Sequence, residues 1–206
     1  MQLGLGRRER CRLVVACLVL VGWCAAGWSA PERPEKRALS LSKELTWAFT
    51  TLREQFQEDN ALRFEARLVE LESHQPELVR PFLLRLGALR ATRGHVAAAS
   101  SGLRALRVRA AGTAYEARAG LVLAHVMRRA QQLMNAQATY REVFLCASGR
   151  PEDRDEARAW WIRGLCEQGR HAQAREEWRA FEACAVTLRW RTYARDWLHR
   201  CVDRHA

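Results

Sequence analysis

Lysine is almost absent from this chain: of 34 lysines and arginines only Lys36 and Lys43 are lysines, so the formal charge of +11 against 23 acidic residues is carried by arginine. Arginine in place of lysine, with abundant alanine, is also what a GC-rich coding sequence imposes, so the charge alone does not single out an anionic partner. No stretch alternates apolar and polar residues with period two, which excludes half-buried strands. His-Glu-x-x-His, Gly-x-Ser-x-Gly, a phosphate-cradling glycine loop and Cys-x-x-Cys are all missing, so none of the common metalloprotease, serine hydrolase, nucleotide or redox motifs is present. His74, His95 and His125 have no carboxylate or serine at a motif spacing. Glu65, Glu70 and Glu72 beside Arg63 and Arg67 read as a solvated helix face supported by i, i+4 pairs. The chain is therefore expected to be no enzyme and to bind no cofactor or metal. With 49% apolar and 28% charged residues over 206 positions, it is long enough for one hydrophobic core and too apolar for general disorder.

The positive charge begins with a block of its own. Arg7, Arg8, Arg10 and Arg12 against Glu9 give +3, and Leu13 to Val21 follow without a charge. The small residues Ala25, Gly27 and Ser29 then precede Pro31, which completes the outline of a secretory signal. If uncut, the 18 residues from Leu13 to Ala30 reach the length of a membrane span, with the basic end cytoplasmic. Residues 1–30 are thus expected to be a signal peptide or an N-terminal anchor in the inner membrane, and either form would place the rest in the periplasm or outside the cell. Val14-Val15-Ala16-Cys17 resembles a lipobox, but almost no apolar segment precedes Cys17. Arg7-Arg8 matches a twin-arginine signal only in the pair itself.

Residues 31–40, PERPEKRALS, are charged and carry prolines, so a linker is expected there. From Leu41 the apolar period is helical throughout, as in Leu41, Leu45, Phe49, Leu52 and Phe56. Breakers such as Asp59-Asn60, Gln75-Pro76, Arg93-Gly94, Gly149-Arg150-Pro151 and Gly169-Arg170 divide residues 41–206 into nine candidate helices. Their expected spans are about 42–57, 60–73, 77–93, 95–107, 113–130, 133–147, 153–168, 171–185 and 188–204. They pair into hairpins of about 42–73, 77–107, 113–147 and 153–185, with 188–204 left over. Short connections between them imply antiparallel neighbours.

Comparing the chain with itself reveals a repeat. Ala99, Leu103 and Leu106 recur as Ala136, Tyr140 and Val143, then as Ala174, Trp178 and Phe181, always at offsets of zero, four and seven. Thirteen residues before each anchor stand Leu86, Leu123 and Trp161; twelve before stand Gly87, Ala124 and Ile162. Gly94 and Gly169 hold equivalent turn positions. Leu62, Ala66 and Val69, with Phe49 earlier, fit a degenerate first hairpin more loosely. The segment Leu83-x-x-Leu86-Gly87 followed by Gly94-x-Val96-x-x-Ala99 resembles the tetratricopeptide repeat family. A small residue there lets the two helices of a hairpin approach, and the large residue four later fills the groove above it. The anchors are 37 and 38 residues apart, longer than the family's ~34, and Ile162 and Phe181 replace expected small residues. The resemblance implies an all-α fold, an α-α superhelix built as a right-handed solenoid of antiparallel hairpins. The last segment, with Trp190, Tyr193 and Trp197 on one stripe, is expected to cap the stack. Arg189, Arg191, Arg195 and Arg200 interleave with those aromatics as in a nucleic-acid stacking surface, but an exported chain would not meet nucleic acid.

Seven cysteines fall into two groups: Cys11, Cys17 and Cys24 in the targeting segment, and Cys146, Cys166, Cys184 and Cys201 in the domain. Four cysteines permit three pairings. Cys146 and Cys184 each lie ten residues past a repeat anchor, and Cys166 and Cys201 lie near the ends of two first-type helices, so Cys146–Cys184 and Cys166–Cys201 are the expected bridges. Cys166, His171, Cys201 and His205 would alternatively suit zinc, although their spacing matches no finger pattern. On function, the resemblance implies a non-catalytic scaffold of the cell envelope that presents the first helices, on its concave face, to a segment of another protein. Arg85, Arg90, Arg118 and Arg163 on those helices would meet an acidic or carboxylate-ended peptide. Two other classes stay open: a binder of anionic envelope polymer or lipid headgroups, using the +8 that remains outside the first 30 residues, and an accessory subunit of an envelope enzyme.

Overall fold

Residues 34–203 are described by the structure, a computed structural model. They form helices throughout, in the order α1 (Pro34–Glu54), α2 (Glu58–Glu72), α3 (Pro76–Thr92), α4 (Val96–Arg109), α5 (Ala114–Arg129), α6 (Leu133–Leu145), α7 (Pro151–Glu167), α8 (His171–Cys184) and α9 (Leu188–Asp203). No described residue is in a strand. Helix starts follow their local chemistry. Pro76 and Pro151 open α3 and α7 at positions where a missing N–H costs nothing, with Glu77, Glu152 and Asp153 in the first turns. Thr113 caps α5 by accepting from the Tyr115 N–H, while Glu116 reaches back to the Gly112 N–H.

The chain divides into two compact units, residues 1–44 and 45–206, and the division falls within α1. The described part of the first unit, residues 34–44, is helical. Of the linker expected over residues 31–40, residues 34–40 are helical: Pro34 suits a first helical position and Glu35 lies in the first turn. The expected signal or anchor, residues 1–30, lies outside the described residues, as does His205. Among the described residues no helix is long and apolar enough to cross a membrane.

From α2 onward each helix packs on the next, and the first helices of successive hairpins also touch, α3 on α5 and α5 on α7. This is the arrangement of an α-α solenoid. The repeat anchors are its core. Ala99, Leu106, Tyr140, Ala174 and Phe181 are wholly buried, and Leu103, Ala136, Val143 and Trp178 nearly so. A continuous apolar cluster runs through α4, α5, α6, α7, α8 and α9. Gly87 is needed for the approach of α3 to α4, since a Cβ there would lie 2.7 Å from Leu103.

The first hairpin departs from the expected register by one residue. Leu62, Ala66 and Val69 face solvent, while Ala61 and Leu68 are fully buried. Counted from Ala61, the offsets of zero, four and seven fall on Ala61, Glu65 and Leu68, so Glu65 stands where later hairpins have Leu103, Tyr140 and Trp178. The reason is ionic. Glu65 accepts from Arg90 at 2.6 Å, and Glu58 lies 2.9 Å from the same guanidinium. Nearby, the buried Glu72 takes Arg80 at 3.0 Å and Arg109 at 2.7 Å.

At the other end α9 packs on both α7 and α8, with Ala194 fully buried against Ala159, Ile162, Trp178 and Phe181. Trp190, Tyr193 and Trp197 are half-buried on its flank. The extended link before α9 is held by Asp155 of α7, whose Oδ2 accepts from the backbone N–H of Val186 and Thr187 at 2.9 and 2.7 Å.

Candidate functional site

The face made by the first helices carries a groove of about 590 Å³. Its floor comes from Pro81, Leu84 and Ala88 of α3 and Ala114 and Val122 of α5. Arg85, Tyr115, Arg118, Arg150, Glu152 and Asp153 supply its polar rim. Positions four apart on adjacent first helices put these side chains on one surface. The loop before α7 comes close to α5 through Gly149, where a Cβ would lie 2.8 Å from that of Ala117, and this brings Arg150 to the rim.

The three guanidinium groups differ in their commitments. Arg118 donates to Asp153 at 2.6 Å while remaining 47% exposed, so it keeps donors for a second acceptor. Arg85 is exposed and lies over the ring of Phe82 at 5.6 Å. Neither Arg85 nor the exposed Arg150 forms an ion pair with a described residue. Tyr115, half-buried between them, hydrogen-bonds Glu77, and burial followed by that carboxylate's charge raises its hydroxyl pKa. It stays protonated near neutrality and donates to that carboxylate. Apolar floor, free guanidinium groups and a phenol suit an extended ligand with a carboxylate.

Of the four arginines expected to contact a partner, Arg85 and Arg118 meet in this groove. Arg90 does not: only 2% exposed, it is consumed by Glu58 and Glu65. Arg163 lies elsewhere on the first-helix face. It is held between Trp160 and Trp197, 4.7 and 4.1 Å from their centroids, and donates to the Tyr193 hydroxyl and to Glu167. Burial alone would lower its pKa, but those two hydrogen bonds outweigh it and the value rises. Glu167 also receives Arg128 at 2.7 Å. Arg163 is thus a structural tie between α7 and α9. Tyr115 and Arg150 were missed from sequence: Arg150 stands in the Gly-Arg-Pro breaker and read as loop, and a single tyrosine on an amphipathic helix carries no motif.

All four domain cysteines are free thiols in this structure, so neither expected bridge is formed. Cys146 hydrogen-bonds Ser148, and the exposed Cys184 donates to the Ala180 carbonyl and receives Arg158, so each is engaged locally. Cys166 and Cys201 are juxtaposed: both are buried, Cys166 hydrogen-bonds Cys201, and the Cys201 sulfur contacts Nδ1 of His171. Among the described residues no group of three or more histidines, cysteines and carboxylates is arranged to hold a metal ion. His125 bridges Glu156 at 3.0 Å and the buried Tyr140 hydroxyl at 2.8 Å, a relay enclosed by Trp160.

No family model, no curated protein and no solved structure matches this chain. The class that fold and site define is an all-α helical-repeat protein with a groove on its first helices.

Proposed function

We propose that this chain is a non-catalytic adaptor of the tetratricopeptide type, exported to the cell envelope, whose first-helix groove binds an extended, carboxylate-bearing segment of another protein. The observation that carries the reading is that Arg85 and Arg150 are exposed and unpaired by any described carboxylate above an apolar floor. Arg90 and Arg163, by contrast, are spent on ion pairs and aromatic contacts. A planar guanidinium recognises a carboxylate through two parallel hydrogen bonds, and two of them flanking apolar ground give a peptide both direction and register. The export half of the reading rests on the basic block and apolar run of residues 7–30.

The experiment is capture from an envelope fraction by the full chain and by Arg85→Glu/Arg150→Glu. Both positions are exposed, so the double variant should keep its helical circular dichroism. Reversing two charges should reduce recovery of any specific partner by at least about tenfold. Unchanged recovery of every partner would dismiss the groove.

A further inference from the structure

We propose that Cys166 and Cys201 form a reversible dithiol–disulfide couple, oxidised by a hydroperoxide with His171 as proton acceptor, which fastens the capping helix α9 to α7. Three helix ends converge on this point: Cys166 is the penultimate residue of α7, His171 the first of α8, and Cys201 lies in the last turn of α9. The contacts run in one line. The Cys166 thiol hydrogen-bonds the Cys201 sulfur, and the Cys201 sulfur meets His171 Nδ1. Both cysteines belong to the main apolar cluster, the residues 8% and 7% exposed. That environment excludes bulky reagents and admits a small peroxide.

The chemistry follows the line of contacts. His171 Nδ1 accepts the Cys201 proton, and the thiolate attacks one peroxide oxygen, breaking the O–O bond. The departing hydroxide takes the proton from the imidazolium and leaves as water, and Cys201 becomes a sulfenic acid. The Cys166 sulfur then attacks the Cys201 sulfur, and its proton leaves with the sulfenic hydroxyl as a second water. Two thiols lose two electrons, and one peroxide becomes two waters. Burial pushes the Cys166 thiol up to about 12, so it waits protonated as the resolving partner while the histidine-paired Cys201 reacts first. Cys184, though more exposed, has no second cysteine in contact among the described residues and does not resolve in this way.

The test exposes the full chain to about one equivalent of hydrogen peroxide, alkylates remaining thiols and maps tryptic peptides without reduction. The expected product joins the peptide 164–170 to the peptide 201–204, disappears on dithiothreitol treatment, and raises the thermal midpoint by roughly 5 °C through the closed loop. His171→Asn should slow bridge formation by about tenfold or more while leaving the same product, since only the proton acceptor is lost. Cys166→Ser should stop at a dimedone-reactive sulfenic acid on Cys201. Alkylated, unlinked Cys166 and Cys201 in the peroxide-treated protein would overturn the proposal, as would dimedone labelling confined to Cys184. An unchanged rate in His171→Asn would remove the histidine from it.

Discussion

At position 131 the chain turns through the left-handed region without a glycine: Gln131 has φ +60°, against +87° for Gly94 and +72° for Gly169. All three turns carry the same hydrogen bonds. The N–H of His95, Gln132 and Arg170 each reach five residues back to Arg90, Met127 and Leu165, at 2.9 Å. These are glycine-type helix ends repeated at 37 and 38 residues, with a side chain tolerated once. A Cβ at Gly94 or Gly169 would meet nothing, so the backbone angle alone sets the cost there. Gln131→Gly should therefore stabilise the protein by about 0.5–1 kcal/mol and Gly94→Ala destabilise it by about 1 kcal/mol, measured by urea unfolding. A loss of stability in Gln131→Gly would mean that the glutamine contributes something its backbone does not reveal.

Among the helices, the C-terminal cap is held by a polar contact as well as an apolar one. Asp155, 7% exposed on α7, receives two backbone N–H groups from the link into α9. Asp155→Ala should cost about 2 kcal/mol by removing two hydrogen bonds to a charged acceptor. The loss should concentrate in α9, where amide hydrogen exchange should quicken well before that of α5 and α6. Uniform loss of protection would place Asp155 in the global core instead. Most of this architecture was legible in the sequence, because the anchors 99/103/106, 136/140/143 and 174/178/181 are apolar at a fixed interval and are all buried. The first hairpin was not, because its core position is filled by Glu65, and an apolar search slides one residue onto Leu62 and Val69, which are exposed. The bonds of Asp155 were invisible for a related reason: they join residues about thirty positions apart, and a lone aspartate within a helix carries no local signature.

For the molecule as a whole, the arginine excess has two destinations. Some guanidinium groups tie hairpins together, as in Arg107–Glu142, Arg118–Asp153 and Arg128–Glu167, and others, Arg85 and Arg150 among them, form no ion pair with a described residue. Composition cannot tell these apart, which is why Arg90 and Arg163 looked like binding residues and Arg150 did not. The same ties set the pH range. Burial raises the Glu167 pKa, but hydrogen bonds from Arg128 and Arg163 outweigh it, and the net value is lowered. Its stabilising contribution is present above the unfolded value of about 4.5 and lost as pH falls through the folded one. Tyr140 runs the other way: burial raises its pKa, so its contribution is whole below about 10 and lost as pH rises further. Unfolding free energy should decline at both limits, with Glu167→Gln flattening the acid limb and Tyr140→Phe the alkaline one. Acid and alkaline limbs unchanged in the two variants would assign the pH dependence to other groups.

The full burial of Ala194, on the inner face of α9, has a bearing on how such a chain can grow. A helix that seats against both members of the last hairpin covers the apolar edge on which another hairpin would stack, so an added unit is accommodated in the interior of the row. The loops around Gly112 and Gly149 bracket one whole unit. A second copy of residues 112–149 spliced in tandem would leave the cap and the first hairpin as they are and add one more first helix to the row that bears the groove.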